Sequence, residues 1–376
     1  MLVSRDQPGR GRALSASVRR RSYHSVQPGV LQGSESYQFT QGSRINTPLS
    51  FPQPTFGTAQ VMDPAGQGNG SLIPRYILVS EESGRGWAVV DSIRDCQFGQ
   101  VLRGVQVTLT TSGRWAYSTT PPVYVAIKEL SFSRILDMQG RSHEDPLREV
   151  AALQYLSDAA HPNILQCIEA LKDDNKIYII MPFCSGGELF DIVAERDYLG
   201  EDEARSIFRQ AVDGLLFLKQ SGVCHRDVSL ENMMLDAEGV LKIIDYGLAL
   251  RVPQGADGEA LPLSPQEVCG KRFYMAPEVM SSSGTFDGFA VDIWACGVML
   301  FVMLTGKPPF EYPLPSLDKR CRVIAVQQRL GELLEVWGLE ISPEAVDLMQ
   351  SCLTYDPARR PRLEDLRVHP WLDLES

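Results

Sequence analysis

The sequence predicts an α+β fold with two lobes, a small β-sheet lobe that carries one main helix and a larger, mainly helical lobe. Strand-like segments come first: after Arg75 the chain passes through runs rich in β-branched and aromatic residues. Helix-like segments with apolar residues at positions i, i+3 and i+4 follow, most clearly over residues 204–216. Because the two kinds of segment are separated along the chain near Pro182, we expect them to form two lobes.

The small lobe is predicted from four strand-like segments bounded by turn residues, namely 76–79, 87–93, 101–107 and 123–130. The polar stretch 108–122, rich in Gly, Ser, Thr and Pro, is longer than a hairpin needs and predicts a surface insertion. Asp145 and Pro146 then begin the main helix of this lobe, with Asp as the N-cap and Pro at the first helical position.

The helices of the large lobe are predicted from apolar periodicity and from starting residues. The apolar positions of 204–216 follow one helix face for three turns before Gly222. Residues 293–304 form the longest apolar run, which is too short for a bilayer that needs about twenty residues and therefore predicts a buried helix. Ser342 and Pro343 begin a further helix.

Residues 1–73 differ in composition from the rest of the chain and predict a disordered tail. They are rich in Ser, Gln, Gly and Pro and lack periodicity, so they cannot bury enough apolar surface to fold. The folded domain would then cover residues 74–376, with the small lobe at 74–182 and the large lobe at 183–376. The arginines of residues 1–25 loosely resemble a mitochondrial presequence, which is the alternative to the cytoplasmic location that we expect.

The charge of the chain and its cysteines indicate which binding partners and which cellular compartment to expect. The chain has 36 basic and 47 acidic residues, and residues 1–73 contain seven of the basic and three of the acidic ones. The acidic domain argues against nucleic-acid binding and favours basic peptide partners, with solubility alone as the alternative. Eight cysteines without a C-x-x-C pair predict reduced thiols in an intracellular protein, and no segment predicts a membrane partner. The oligomeric state is not predicted.

Three polar side chains in two nearby segments indicate phosphoryl transfer. Asp227 and Asn232 lie in the run C-H-R-D-V-S-L-E-N at 224–232, and Asp245 begins the triplet D-Y-G thirteen residues later. Phosphoryl transfer needs little covalent help from a protein, so the enzyme mainly orients a hydroxyl group and holds a metal ion against phosphate oxygens. Two carboxylates and an amide are suited to those tasks.

These two runs resemble the catalytic loop and the D-F-G triplet of the eukaryotic protein kinases. Other stretches resemble further motifs of that family, namely 125–128 (V-A-I-K), the hinge at 181–188, 276–278 (A-P-E), 292–297 and 356–361. The stretches 186–190, 304–310 and 369–371 are similar to the calcium/calmodulin-dependent branch of the Ser/Thr kinases. The resemblance covers about residues 87–372. It implies a kinase fold and transfer of the γ-phosphate of ATP to Ser/Thr hydroxyls of proteins, with Mg²⁺ or Mn²⁺.

The resemblance also implies roles for individual residues. Asp227 would orient the substrate hydroxyl, while Asn232 and Asp245 would hold the metal ion. Lys128 would bind the α- and β-phosphates, with its ammonium fixed by Glu149. The nucleotide site would comprise Phe98, Gly99, Val101, Ala126, Lys128, Met181, Pro182, Cys184 and Met234. Glu278 and Arg360 would form a buried ion pair with a structural role.

Substrate recognition and regulation are predicted from the same resemblance. Glu188 and Glu231 occupy positions at which basophilic kinases bind substrate arginines. The tail run R-R-R-S ends at Ser22, which we predict to be an autophosphorylation site or part of a pseudosubstrate, with an inert tail as the alternative. Arg226 is typical of kinases whose activation segment is ordered by a phosphate, and Ser264 is the only Ser or Thr of that segment.

The sequence departs from the family pattern in the glycine-rich loop. When residues 98–101 are aligned with the end of G-x-G-x-F-G-x-V, Arg94 and Cys96 replace the first two glycines. Those glycines allow backbone amides to approach phosphates, so side chains there would weaken or reshape nucleotide binding. The run G-R-G at 84–86 is expected to be a turn rather than a substitute loop.

A second departure affects the catalytic loop. Ser229 replaces the usual lysine, and Lys271 replaces a threonine that precedes A-P-E. We hypothesise that a cation and a hydroxyl have exchanged places, with Lys271 near the γ-phosphate and Ser229 hydrogen-bonded to Asp227. The two departures leave open a pseudokinase scaffold and a tyrosine or dual-specificity kinase.

Overall fold

The structure is a computed structural model that describes residues 51–52, 54–62, 72–142, 144–264, 268, 270–282 and 284–373. Strands dominate the first part of this region and helices the second, which confirms the α+β fold of two lobes. The strands of the small lobe are β1 (Pro54–Met62), β2 (Leu72–Ser80), β3 (Gly86–Cys96), β4 (Gly99–Leu109), β5 (Trp115–Tyr117), β6 (Tyr124–Ser131), β7 (Glu169–Lys172) and β8 (Lys176–Pro182).

The first five strands close into a ring. The order along the sheet is β3-β2-β1-β5-β4, and β3 also pairs with β4. Inside the ring a small apolar core is built from Val61, Ile77, Ala88, Val105 and Val107, all buried. Because a closed ring leaves no free strand edge, it protects this part of the lobe from unwanted pairing.

The ring corrects two of the sequence predictions. The predicted tail boundary at residue 73 is wrong, because β1 pairs with β2 from Pro54↔Ser80 to Met62↔Leu72. The segment 108–122 is also more than a surface insertion, since β5 lies within it and pairs with β1 and β4. Neither strand has strong local alternation of apolar and polar residues, and both are stabilised by pairing with distant strands. Residues 1–50 lie outside the described residues.

The remaining strands of the small lobe carry its main helix. β4, β6, β8 and β7 are consecutive neighbours in the sheet, and helix α2 (Pro146–Ser157) follows the short helix α1 (Phe132–Met138). As predicted, Asp145 is the N-cap of α2: its Oδ1 accepts hydrogen bonds from Leu147 N at 3.0 Å and Arg148 N at 3.3 Å. Val150 and Leu153 are buried on the inner face of α2.

The large lobe contains the other helices and five short strands. The helices are α3 (Leu189–Arg196), α4 (Glu201–Gln220), α5 (Pro277–Met280), α6 (Gly288–Thr305), α7 (Lys319–Cys321), α8 (Leu330–Trp337), α9 (Pro343–Cys352), α10 (Leu363–Arg367) and α11 (Pro370–Asp373). The strands are β9 (Gly187–Glu188), β10 (Val223–Cys224), β11 (Met233–Leu235), β12 (Leu241–Ile243) and β13 (Leu250–Arg251). A π-helical turn (Arg322–Val326) follows α7, and 3₁₀ turns cover Leu230–Asn232 and Pro357–Arg359.

Helices α4 and α6 form the centre of the large lobe. The predicted inner face of α4 is buried, and α6 is buried along almost its whole length. By length and composition α6 could cross a membrane, but 89% of its apolar window is enclosed by the protein, which is the environment of a core helix. The predicted ion pair between Glu278 and Arg360 is present, with two hydrogen bonds of 2.7 and 2.8 Å.

Candidate active site

A cleft between the two lobes brings together six of the predicted site residues, namely Asp227, Asn232, Asp245, Lys271, Glu188 and Glu231. Its walls come from the β3–β4 hairpin, the loop before α2, strand β9, the loops at 227–232 and 245–248, and residues 268, 270 and 271. The cavity has a volume of about 590 Å³ and is lined by Arg94, Glu188, Asp227, Asn232 and Asp245, among others. Nearly all of its polar lining is charged or amide-bearing, so it is suited to an ionic substrate.

Lys128 and Glu149 form an ion pair close enough to Asp245 for their charges to interact. Lys128 is fixed on β6, opposite Val101 of β4 and Ile179 of β8, and Glu149 lies in the first turn of α2. The Lys128 Nζ donates to both carboxylate oxygens of Glu149, at 2.7 and 2.6 Å. Burial alone would lower the pKa of Lys128, but the carboxylates of Glu149 and Asp245 outweigh it and raise that pKa above its ordinary value. The amine therefore stays charged, as phosphate binding requires.

The catalytic loop is anchored to a buried carboxylate of helix α6. The backbone amides of His225 and Arg226 donate to Asp292 Oδ2 and Oδ1, at 2.8 and 2.7 Å. A ring nitrogen of His225, Nε2, lies 2.9 Å from the carbonyl oxygen of Ile244 and ties this loop to the D-Y-G segment. Burial raises the pKa of Asp292 to about 6. Sequence reasoning placed Asp292 in a family motif but did not identify it as the anchor of the loop.

Asp227 lies at the centre of a network of hydrogen bonds. Asn232 Nδ2 donates to the carbonyl oxygen and to Oδ2 of Asp227, both at 2.7 Å. Lys271 Nζ donates to Asp227 Oδ2 at 2.9 Å, and the backbone N of Lys271 donates to Oδ1 at 3.3 Å. The carboxylate is therefore held in one orientation by an amide and an ammonium group.

The structure brings Ser229 and Lys271 together, with one difference from the hypothesis. Ser229 Oγ accepts a hydrogen bond from Lys271 Nζ at 2.9 Å, and the same ammonium group binds Asp227. The expected direct bond between Ser229 and Asp227 is therefore wrong, because the Lys271 ammonium lies between them. A lysine side chain is long enough to reach from the A-P-E segment to both groups, whereas a hydroxyl in its place would reach only one.

Asp245 and Asn232 are brought together by the β11–β12 hairpin. Met233 pairs with Ile243, and Ile244 N donates to the carbonyl oxygen of Asn232 at 3.0 Å. Burial tends to raise the pKa of Asp245, but Lys128 and the bond from Gly247 N outweigh it and hold the pKa below its ordinary value. Asp245 is thus an anionic oxygen ligand in a partly enclosed site.

The donor set at this position fits a hard divalent cation. The nitrogen of the Asn232 side chain is engaged with Asp227, which leaves the amide oxygen as the ligating atom, and Asp245 supplies a carboxylate. Magnesium and manganese both prefer such oxygen ligands. Among the residues that the structure describes, no group of three or more His, Cys, Asp or Glu side chains is arranged to hold a metal ion.

A further carboxylate, that of Glu144, lies beside Asp245 and was not predicted from the sequence. Glu144 lies in the loop before α2 and lines the same cavity, with its side chain near Asp245 and Gly247. Burial and the neighbouring charge of Asp245 raise the pKa of Glu144. Its position beside the D-Y-G segment depends on how the lobes meet, which no local motif records.

The predicted nucleotide-binding residues fall on the two sheets that face the cleft. Ala126 of β6 pairs with Met181 of β8, and the hinge continues through Pro182, which is exposed, to Cys184, which is buried. Met234 lies on β11, opposite Glu188. Their contacts with a nucleotide stay predictions.

Phe98 and Gly99 have structural roles in the described fold. Phe98 is buried in the main hydrophobic core. A Cβ atom on Gly99 would lie 1.7 Å from the carbonyl oxygen of Glu129, so this glycine is required where β4 passes close to β6. Both residues thus fix the hairpin to the sheet. Gly84 has a φ of 65° and lies in the turn between β2 and β3, which confirms that the run at 84–86 is a turn.

The β3–β4 hairpin that replaces the glycine-rich loop reaches across the cleft. Gln97 and Phe98 form its turn, because Cys96 pairs with Gly99. Near the end of β3, Arg94 forms an ion pair with Glu188 of the large lobe. Arg94 thus contacts one of the two carboxylates that were predicted to bind substrate arginines.

The other predicted substrate and regulatory residues are placed as follows. Glu231 lines the cavity, and its Oε2 is buried without a hydrogen-bond partner among the described residues. Arg226 is buried, with Nη1 donating to the carbonyl oxygen of Leu248 at 3.2 Å and its guanidinium 5.5 Å from the ring centre of Phe286. Ser264 is exposed. Ser22 lies outside the described residues.

Comparison with known proteins agrees with this geometry. Residues 116–372 match the family model described as protein kinase domain, and the chain belongs to that family. It is 37% identical over 247 residues to CBL-interacting protein kinase 21 of Oryza sativa, covering 65% of this chain and 43% of that protein. It is 36% identical over 262 residues to CBL-interacting serine/threonine-protein kinase 24 of Arabidopsis thaliana, covering 69% and 54%.

A third relative comes from yeast. The chain is 36% identical over 225 residues to serine/threonine-protein kinase GIN4 of Saccharomyces cerevisiae, covering 60% of this chain and 18% of that protein. The chain thus spans about half the length of the two plant relatives it matches, and less of the yeast one. These matches confirm the predicted resemblance to the calcium/calmodulin-dependent kinase-like branch. The family match begins at Ala116, after the β3–β4 hairpin.

Proposed function

We propose that the chain is an ATP-dependent protein kinase that transfers the γ-phosphate to Ser/Thr hydroxyl groups of proteins. The observation that carries the proposal is that Asp227, Asn232 and Asp245 line one cleft, and that the Lys128–Glu149 ion pair lies close enough to Asp245 for their charges to interact. These groups come from four separate stretches of the chain, so their convergence is a property of the folded protein. The names of the similar proteins support serine and threonine as acceptors.

The transfer begins with the substrate hydroxyl group at Asp227. The hydroxyl donates a hydrogen bond to the carboxylate, which orients the attacking oxygen and takes up its proton as the bond to the γ-phosphorus forms. The bond from that phosphorus to the oxygen that bridges the β- and γ-phosphates breaks in the same transfer, and ADP is the leaving group. Asn232 and Lys271 hold the carboxylate in position during this step. The Lys271 ammonium also places a positive charge where negative charge develops on the transferred phosphoryl group.

The other residues hold the nucleotide. Lys128, kept charged and oriented by Glu149, binds phosphate oxygens of ATP. Asp245 and Asn232 would hold a divalent cation, for which we propose Mg²⁺, and the cation would neutralise charge on the phosphate oxygens. Mn²⁺ has the same ligand preference and is the alternative.

For the substrate we propose proteins with basic residues near the acceptor. Glu188 and Glu231 both line the cavity that contains Asp227, so a basic side chain bound there would meet two carboxylate groups. Regulation through Arg226 and Ser264, and through Ser22 of the tail, stays a prediction. We also propose an intracellular location, which the seven unpaired cysteines of the described residues support.

The proposal is tested by phosphate transfer from radiolabelled ATP to a Ser-containing basic peptide. We expect transfer by the full chain with Mg²⁺, and a loss of about a hundredfold or more in Asp227→Asn and in Asp245→Asn. The matched control is Asp365→Asn, which removes a surface carboxylate whose ion-pair partner among the described residues is Arg362.

Two results would contradict the proposal. Binding of ATP without transfer to any peptide would indicate a pseudokinase scaffold. Label found on tyrosine instead of serine in the product would indicate the tyrosine or dual-specificity alternative.

A further inference from the structure

The ion pair between Arg94 and Glu188 joins the two sides of the cleft. One side is the β3–β4 hairpin, which forms the roof of the cleft, and the other is strand β9 of the large lobe. Arg94 lies near the end of β3, and Glu188 is held on β9 opposite Met234 of β11. The side chain of Arg94 is 54% exposed, whereas that of Glu188 is 19% exposed. The carboxylate is thus part of the cavity wall, and the guanidinium reaches it from the solvent side.

The contact is chemically the same as the one that a substrate arginine would make. A guanidinium group binds a carboxylate through charge-assisted hydrogen bonds, whichever chain carries it. While Arg94 is bound to Oε1, part of the charge of Glu188 is neutralised and one of its two oxygens is occupied. A substrate arginine must therefore displace Arg94 before it can bind both oxygens of Glu188.

The second acidic residue of the cavity is in a different state. Glu231 Oε2 is buried and has no hydrogen-bond partner among the described residues. Glu188 and Glu231 therefore differ in their partners: Arg94 binds Oε1 of Glu188, whereas Oε2 of Glu231 has no partner in the described part of the chain. The difference between the two carboxylates is caused by residue 94. A glycine at that position has no side chain and would leave Glu188 without this ion pair.

We propose that Arg94 is a specificity-determining residue that competes with arginine-containing substrates for Glu188. The proposal rests on the proposed kinase function. It explains how the selection of substrates with basic residues near the acceptor would be weakened in this chain. With Arg94 present, selection of basic substrates depends mainly on Glu231. With Arg94 removed, both carboxylates contribute.

The test compares two peptides that differ only in having arginine or alanine on the N-terminal side of the acceptor serine. The measured quantity is the ratio of kcat/KM for the two peptides, in the full chain and in Arg94→Ala, Glu188→Gln and the double variant. We expect the ratio to rise about threefold to fivefold in Arg94→Ala, the range for release of one partly exposed ion pair. The rise should disappear in the double variant, because the carboxylate that Arg94 releases is absent there.

Arg329→Ala is the matched control. Arg329 has the same exposed fraction as Arg94, 54%, and is paired with Glu332 of α8 rather than across the cleft. Its ratio should equal that of the unchanged protein. A second measurement, fluorescence anisotropy of the labelled arginine peptide without ATP, should show tighter binding by Arg94→Ala and does not depend on turnover.

Several outcomes would overturn the inference, and they are separable from failure of the proposed function. An unchanged ratio in Arg94→Ala, or a rise that persists in the double variant, excludes competition at Glu188. A raised KM for ATP with an unchanged peptide ratio would assign Arg94 to the nucleotide instead. Absence of phosphate transfer by the full chain and by every variant would remove the kinase proposal, and the inference with it.

Discussion

The floor of the active-site cleft is held by buried hydrogen bonds, whereas its roof is attached to the large lobe by a partly exposed ion pair. The floor is the catalytic loop of residues 224–232, whose backbone amides are bound by the buried Asp292. The roof is the β3–β4 hairpin, which reaches the large lobe through Arg94 and Glu188. Both regions surround the same cavity, so the difference lies in how they are held rather than in where they are.

The physical basis of the difference is the dielectric environment. Buried hydrogen bonds to a charged group are strengthened by the low dielectric, and breaking one leaves an unsatisfied polar group. An exposed ion pair contributes about 1 kcal/mol or less, because water and salt screen it. We therefore expect changes in the floor to abolish or strongly reduce function, and changes in the roof to adjust it.

Among the substitutions that test the difference between floor and roof, the largest effect on turnover is expected at Lys271. Lys271→Met removes the ammonium that binds both Asp227 and Ser229, and turnover should fall at least about tenfold. Steady-state kinetics with saturating ATP measures this effect, and Lys319→Met, an exposed lysine of α7, is the control. Near-normal turnover would show that the ammonium is only a solvated charge.

The double variant Ser229→Lys with Lys271→Thr tests the exchange of cation and hydroxyl. It restores one cation and one hydroxyl with their positions reversed, so its turnover should exceed that of Lys271→Met severalfold. Equal turnover in the two variants would contradict an exchange.

An effect of intermediate size is expected in the pH dependence of the free energy of unfolding, through Asp292 in the floor of the cleft. Burial raises the pKa of Asp292 to about 6, so the folded protein holds this proton more tightly than the unfolded chain does. The contribution of Asp292 to stability is then largest at low pH and is lost as pH rises through about 6. Relative to Asp292→Asn, the wild-type free energy of unfolding should increase by about 1 kcal/mol between pH 7 and pH 5.

Urea unfolding at several pH values measures this difference. Asp365→Asn is the control, since hydrogen bonds from Arg362 hold the pKa of Asp365 below its ordinary value and outside this range. A difference between wild type and Asp292→Asn that does not change with pH would mean that Asp292 titrates normally.

The smallest effect is expected in the roof. Cys96→Gly removes a side chain from the hairpin end and allows the backbone amide to approach a phosphate, so the KM for ATP should fall about threefold. Cys96→Ser keeps a side chain of similar size and should leave the KM unchanged. An equal change in both variants would show that the thiol, rather than the lost backbone approach, controls the KM.

Short motifs explain why much of the site could be predicted. Asp227, Asn232 and Asp245 belong to two runs whose local spacing is set by one hairpin, and Lys128 follows an apolar triplet on a strand. The start of α2 at Asp145 and Pro146 was predictable for the same reason, since capping is a property of neighbouring residues. The tail boundary was not, because β1 is stabilised by strands that lie distant in the sequence.

The sequence by itself determined the fold class, the candidate catalytic residues and the positions at which the family pattern is broken. These depend on periodicity, caps and fixed spacing, which act over a few residues. The tertiary structure decided that β1 to β5 close into a ring, that Asp292 holds the catalytic loop, and that Lys271 lies between Asp227 and Ser229. It also brought Arg94 to Glu188. Such contacts join residues far apart in the chain, and only the packing of the lobes brings them within hydrogen-bonding distance.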